Sequence, residues 1–463
     1  MFKVLLTTFL LSISVSAQDL FKHENLQYKG LTDHGLKELK SVRDALRQRF
    51  RLFDQEFKGL NNIHHAATVA RMAKANIFLY GPPGGAKSKF VQWMFDGEAD
   101  PSFQVQMHQM MTEQVLIGGQ NFEAAKEGRY VVNTETSLAN YRTALLDEVE
   151  KGNPAVLATL LSLLNEREVW VGGQTIPAKT ETVYATSNAN LPEIFTQFQE
   201  SGQRSTAPAL LNRFQFKGFI YNWLSNYDQA ELDERREKIG LCSVLGTCEN
   251  TPLLLKPDVI DWENLRSFSK VLMKKTTSFM TFYNQMANDL RIATNQAVRE
   301  SEVRHQKDRY NEPFVYFPSC DWTERLRQQI PDVVQMSAFI DFLLSDLAND
   351  KNIEKMITKQ IELTGHSLWR ASLVVTTPGP GKAALVKKDG KLEIEFGTQL
   401  SLDYARDARE VKMLENLVAE QNRFSSIYGK YLALSQEAIK DAAKYLPHSD
   451  ESNADFELMI MKR

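Results

Sequence analysis

Cysteine is scarce in this chain of 463 residues: there are three, Cys242, Cys248 and Cys320. They cannot form a disulfide framework, and no pair has zinc-finger spacing, so a disulfide-stapled or zinc-built domain is excluded. Cys242 and Cys248 would pair only in an exported chain and are otherwise ordinary thiols. A surplus of charge is missing too. Lys plus Arg number 55 and Asp plus Glu 58, a formal charge of −3. That balance gives no global footprint for nucleic acid, and the lysine pairs at 274–275 and 387–388 are too short to line a tracking groove. The eight histidines are scattered. The one adjacent pair, His64-His65, reads as helix surface rather than metal ligation. Repeats and low-complexity tracts are absent. What remains, 43% hydrophobic and 24% charged residues, is ordinary globular composition. At about 150 residues per domain, the length suggests roughly three domains.

The N-terminus carries the one segment that invites a membrane reading. Met1-Phe2-Lys3 holds one positive side chain, Val4 to Val15 is uncharged and mostly apolar, and Val15-Ser16-Ala17 places small residues at a cleavage position. About twelve apolar residues are too few to cross a bilayer as a helix, so residues 1–17 read as a secretory signal. Residues 18–59 then read as a charged helical segment, with Leu36, Leu39, Val42, Leu46 and Phe50 at helical spacing.

From 60 to 222 the pattern changes. NIFLY at 76–80, FQVQM at 103–107, TALLD at 143–147, TVYAT at 182–186 and FQFKGFI at 214–220 read as strands. They alternate with helical stretches, notably PAVLATLLSLLNE at 154–166. Such alternation implies an α/β fold, a five-stranded parallel sheet flanked by helices on both faces. Residues 223–350 are polar and helical, and a composition shift near Gly365 precedes a last module at 366–463. Within that module, ASLVVTT at 371–377, AALVKK at 383–388 and KLEIEFG at 391–397 read as strands. The last two are joined by Asp389-Gly390, a strong hairpin signal, and 403–446 follows as long helices.

The strongest chemical signal is GPPGGAKS, residues Gly81, Pro82, Pro83, Gly84, Gly85, Ala86, Lys87 and Ser88, placed directly after a strand and opening a helix. A polyphosphate needs converging backbone N–H groups, and glycines keep side chains out of the way. Lys87 supplies a point charge for the β- and γ-phosphates, and Ser88 a hydroxyl for Mg²⁺. Ala86 stands where glycine usually precedes the lysine. Its methyl group is tolerable if the residue already has helical dihedrals. About sixty residues on, a strand ends in Asp147-Glu148. Asp147 suits the metal's coordination shell and Glu148 suits a general base. Asn188, closing the next strand, can orient the lytic water or can equally cap a turn. Arg213, in PALLNRF, can act as an arginine finger in a neighbouring subunit or pair with local acids; Arg204 is its rival.

Together GPPGGAKS, LLDEVEKGNPAVLATLLSLLNERE, VYATSNANLPE and PALLNRF resemble the AAA+ ATPases of the MoxR branch, RavA-like in kind. The likeness is good over roughly 58–222, weak to about 345, and ends there. It implies an AAA+ P-loop NTPase core at 60–222 with an α-helical lid at 223–350, binding ATP and Mg²⁺. Lys87 and Ser88 would then be the Walker A pair, Asp147 and Glu148 the Walker B pair, Asn188 the first sensor and Arg213 the finger. A second-sensor arginine would be Arg325, with Arg327 as its alternative. The resemblance also implies an inserted loop, for which 122–137 is the candidate. It further implies a homo-hexameric ring, a chaperone-like remodelling role toward a protein client, and a partner with a von Willebrand factor A domain. No nucleic-acid partner is expected, and membrane contact stays open. ATP use implies the cytoplasm, whereas residues 1–17 argue for export; the competing reading is therefore a non-hydrolysing nucleotide-gated scaffold or an exported interaction protein.

Overall fold

Short apolar runs bounded by polar turns set the architecture. The structure, a computed structural model, describes residues 21–24, 27–58, 60–81, 83–129, 131–171, 174–189, 206–211, 213–220, 230–238, 257–275, 324–346, 348–355, 360–362, 383–388 and 391–396, with Met280 and Asn284. Strands β1 (Phe21–Glu24) and β2 (Gln27–Leu31) pair antiparallel, and α1 follows at Asp33–Glu56. The helical rhythm expected from residue 18 thus begins only at 33. Gly30 has φ +129°, which no helix accommodates, and Thr32 is the N-cap, its hydroxyl accepting the Gly35 N–H at 2.9 Å.

The chain then runs through α2 (Asn61–Ala73), β3 (Ile77–Tyr80), α3 (Lys87–Phe95) and β4 (Phe103–Gln106). Then come α4 (Gln114–Ile117), β5 (Gly119–Gln120), α5 (Phe122–Lys126) and β6 (Val132–Asn133), the last two within the 122–137 segment, with β5 and β6 pairing antiparallel. Next come β7 (Thr143–Asp147), α6 (Pro154–Glu166), the antiparallel hairpin β8 (Glu168–Val171) and β9 (Gln174–Pro177), β10 (Thr182–Ser187), α7 (Thr206–Leu211) and β11 (Phe216–Phe219). The central sheet has five parallel strands in the order β11-β3-β10-β7-β4. Strand β3 lies between two strands that come much later in the chain, so the loop leaving its carboxyl end opens where α/β sheets bind ligands.

Both faces of the sheet are covered over its inner strands, which is why β3, β7 and β10 are buried along nearly their whole length. Phe78, Ala144, Leu146, Val183 and Ala185 face α6 through Val156, Leu157, Leu160 and Leu164. Helix α6 starts where Asn153 accepts the Val156 N–H at 3.0 Å, with Pro154 in the first turn. On the opposite face, Ile77, Leu79, Leu145 and Tyr184 join a core shared with α1, α2 and α3. That core continues into α8 (Trp262–Leu272) and α9 (Glu324–Leu344), which precede α10 (Asp350–Lys355). Arg43 and Arg47 of α1 donate to the carbonyls of Ala348 and Leu343 at 3.0 and 2.8 Å, capping the end of α9. Strands β12 (Met273–Lys274) and β13 (Ile361–Glu362) pair in parallel, and β14 (Ala383–Lys388) pairs antiparallel with β15 (Lys391–Phe396), the hairpin expected around Asp389-Gly390. The segments 1–17, 371–377 and 403–446, on which further expectations rest, lie outside the described residues.

The histidine pair is not helix surface. Helix α2 is enclosed by α1 and α9, so both rings are buried. His64 stacks on Phe53 at 4.0 Å and burial holds it neutral, while His65 Nε2 lies 3.1 Å from Asp341. Among the described residues, no group of three or more His, Cys, Asp or Glu side chains could hold a metal ion.

Candidate functional site

The loop after β3 is held by backbone geometry that its residues dictate. Gly81 has φ +143°, and a Cβ there would stand 2.1 Å from the Ile220 carbonyl oxygen, so only glycine lets the loop pass β11. Gly84 has φ +82°. Ala86 has φ +61° and ψ +22°, the left-handed region, rather than the helical dihedrals that would make its methyl harmless. Its carbonyl already accepts the Phe90 N–H of α3, so the alanine carries backbone strain at the helix start. Pro82 lies outside the described residues.

Lys87 opens α3. Its ammonium is buried and donates to the Gly81 carbonyl at 2.9 Å, closing the loop on itself. Burial pushes it below the ordinary lysine value, while Asp147, Glu150 and Glu148 pull the other way. The N–H groups of the first turn of α3 and this cation give the loop positive character suited to phosphate oxygens.

The acids come from β7, two strands away. Asp147 ends the strand and is held from both sides. The Ser88 hydroxyl lies 3.3 and 3.2 Å from its two carboxylate oxygens, and the Thr186 hydroxyl of β10 donates to its Oδ1. Glu148 follows with φ +55° and ψ +50°, a non-glycine residue in the left-handed region. Its Oε1 accepts from Asn188 Nδ2 at 2.6 Å, and its Oε2 from Gln106 Nε2 at 2.8 Å and Lys151 Nζ at 2.9 Å. Gln106 first and Lys151 next hold this carboxyl below the usual range, against a smaller effect of burial. Glu150 behaves oppositely: burial pushes its carboxyl up, and its Oε1 accepts the Asn188 N–H at 3.3 Å.

The structure therefore brings Lys87, Ser88, Asp147, Glu148 and Asn188 into one site. It does not bring Arg213 there. That guanidinium donates to Leu161 O of α6 at 2.7 Å and Ala209 O at 2.5 Å, on the other face of the sheet. Arg325 falls in the first turn of α9, but its side chain lies outside the described residues, as does Arg204. Sequence reasoning missed Thr186, Gln106, Glu150 and Lys151. Gln106 had a partial signal, a polar residue closing a strand, but its register with Asp147 is seen only in the structure; the others acquire their meaning only from their neighbours. A hydroxyl and a carboxylate facing each other suit a hard divalent cation with oxygen ligands. Ser88 and Asp147 are therefore residues whose chemistry suits Mg²⁺.

The sheet order, the glycine loop and the acids across from it define a P-loop core of the AAA+ ATPase type. Residues 44–217 match the family model described as the MoxR domain in the MoxR-vWA-beta-propeller ternary systems. This domain is a MoxR-type AAA+ domain. Two uncharacterised proteins of Methanocaldococcus jannaschii are similar. One is 25% identical over 210 residues, 45% of this chain and 52% of that protein; the other is 30% identical over 128 residues, 27% and 34% respectively. The chain thus spans about half the length of the first of these curated relatives and about a third of the second. A solved structure of a proposed ATPase from Cytophaga hutchinsonii is 13% identical, with a TM-score of 0.47, covering 84% of this chain and 97% of that one. Among the described residues, no helix is long and apolar enough to cross a membrane.

Proposed function

We propose that the chain is a Mg²⁺-dependent ATPase of MoxR type that remodels or matures a partner protein complex. The observation that carries this reading is the Glu148 carboxylate, hydrogen-bonded to Asn188 at 2.6 Å beside a P-loop whose Ser88 already meets Asp147. Glu148, kept ionised by Gln106 and Lys151, takes the proton of a water attacking the γ-phosphate. Asn188 orients Glu148 and that water. Lys87 and the first N–H groups of α3 hold the phosphate oxygens. Ser88 and Asp147 would hold Mg²⁺, which neutralises charge on the β- and γ-phosphates.

Arg213 lies on a face remote from its own P-loop, which suits action on a neighbour's nucleotide in a homo-hexameric ring. A trans-acting arginine is worth about 10³–10⁵ in turnover. Arg325 serves as the second sensor. The MoxR–vWA description of the matched family supports a partner with a von Willebrand factor A domain, and a chaperone-like role toward a protein client is part of the same proposal. Maintained ATP places the activity in the cytoplasm, while residues 1–17 argue for export. N-terminal sequencing of fractionated protein decides between them: a mature chain beginning at Gln18 outside the cytoplasmic membrane would favour the non-hydrolysing reading.

Glu148→Gln tests the central assignment. The amide keeps the shape but cannot accept a proton, so ATP binding is expected to persist while turnover is lost. Unchanged hydrolysis would overturn the base assignment.

A further inference from the structure

We propose that Thr186 is a positioning residue for the acidic pair, its one hydroxyl fixing the carboxylate of Asp147 and the backbone of Glu148 relative to each other. The inference rests on the roles given above to Asp147 and Glu148. Strand β10 pairs with β7 so that Tyr184 lies opposite Leu145 and Ala185 opposite Leu146, which brings Thr186 beside Asp147. By the alternation of strand side chains, Thr186 and Asp147 share the face of Tyr184 and Leu145, the face against which α3 packs.

The Thr186 side chain is fully buried. A hydroxyl has one proton and two lone pairs. Here the proton goes to Asp147 Oδ1, and a lone pair accepts the Glu148 N–H at 3.2 Å. Asp147 is therefore held between two hydroxyls with different tasks. Ser88 lies on the phosphate-loop side, where a metal would be shared. Thr186 lies in the sheet, where it braces the carboxylate without reaching the nucleotide.

The same oxygen anchors a strained turn. Glu148 occupies the left-handed region at φ +55°, which a non-glycine residue keeps only when its surroundings over-determine it. Both ends of Glu148 rest on the β10 chain, its N–H on Thr186 and its carboxylate on Asn188. Threonine suits the post because its β-branch restricts χ1, so the hydroxyl does not swing between partners. Valine has the same outline and neither hydrogen bond.

The test uses Thr186→Val, Thr186→Ser and Glu148→Gln in the full chain. Fluorescent ATP-analogue binding is measured with and without Mg²⁺, alongside kcat and KM. In Thr186→Val the Mg²⁺-free affinity is expected to stay at the wild-type value. The Mg²⁺ concentration that strengthens binding should rise, and kcat should fall, each by about 10–100-fold, as for other groups that orient a metal ligand. Thr186→Ser, which keeps the hydroxyl, should recover most of both. A merely structural role would lower the melting temperature and leave the Mg²⁺ dependence alone. Should Thr186→Val fail to fold, Thr186→Ala and Thr186→Cys carry the same measurements. Wild-type kcat and Mg²⁺ response in Thr186→Val, with turnover abolished in Glu148→Gln, overturns this inference and leaves the site assignment standing; hydrolysis unchanged in Glu148→Gln overturns the assignment beneath it.

Discussion

Replacing Arg71 by methionine, which keeps the length and removes the charge, probes how α8 is tied to the nucleotide core. The Arg71 guanidinium of α2 donates to both carboxylate oxygens of Glu98 at 2.6 and 2.9 Å and to Glu181 at 2.7 Å, and it lies 5.7 Å from the Trp262 ring of α8. The Arg71 and Glu98 side chains are 2% and 6% exposed, so solvent screens this pair very little. Removing the cation leaves Glu98 buried without its bidentate partner. Glu181 retains Lys74 at 2.7 Å and Arg266 at 3.8 Å. Breaking one side of a buried pair costs about 3–5 kcal/mol. At about 2–4 °C per kcal/mol for a domain of this size, the melting temperature should drop by roughly 6–20 °C.

The loss should also depend on pH. Burial alone would raise the Glu181 carboxyl, but Lys74 and Arg71 outweigh it and hold it down at about 2, against an ordinary 4.5. A carboxylate with a depressed folded pKa contributes stability that is complete above its unfolded value and is lost as pH falls through the folded one. Without Arg71 the folded value rises, so the gap between wild type and variant should narrow as pH is lowered from about 4.5 toward 2. Denaturant unfolding at neutral pH and along an acid series measures both effects. A neutral-pH loss below about 1 kcal/mol, the scale of an exposed pair, would refute the reasoning, and so would a gap that does not narrow.

Gln106→Ala and Lys151→Ala each remove a hydrogen bond that holds the Glu148 carboxyl low. Its value should rise in both variants, and the acid limb of the kcat/KM–pH profile should move to higher pH; an unmoved limb would mean that another group sets it. Ala86→Gly removes a left-handed alanine that costs about 1–2 kcal/mol, offset by about 0.4–1 kcal/mol of added unfolded-chain freedom. A stability gain of up to roughly 1.5 kcal/mol is expected in denaturant unfolding, and a loss would show that the methyl makes contacts outweighing the strain.

Periodicity and local chemistry made much of this fold legible. The five strand runs lie within a residue or two of β3, β4, β7, β10 and β11 because each is short, rich in apolar or β-branched residues and bounded by polar turns, β4 alternating as an edge strand does. Helix α6 spans residues 154–166, as expected, because Asn153-Pro154 is a start signal readable in the chain itself. The hairpin at 21–31 escaped detection because nothing in its charged sequence marks a strand face. The burial of His64 and His65 escaped for another reason: a helical stripe reveals which residues share a face, not how many elements will cover them. α2 is enclosed by α1, which ends at Glu56 just before it, and by α9, which begins only at Glu324.

The same limit operates inside the site. Lys87, Asp147 and Glu148 announce themselves by residue type and by position at strand and helix ends, where backbone polarity makes chemistry possible. Thr186 and Asn76 look like ordinary polar residues beside a strand. Their meaning comes from register: Asn76 sits just before β3, where its amide donates to Leu164 O at 3.0 Å and Arg213 O at 2.9 Å, while its Oδ1 accepts from Arg167 and from the Val183 N–H. Slipping β10 by one residue would turn Thr186 to the α6 face and replace it beside Asp147 with Ala185 or Ser187. A positioning residue in a parallel sheet is therefore defined by pairings between segments about forty to more than a hundred residues apart, and those pairings are set by the burial of both faces at once. The residues that touch the substrate can be read from one strand at a time, whereas those that hold them in place require the register of two.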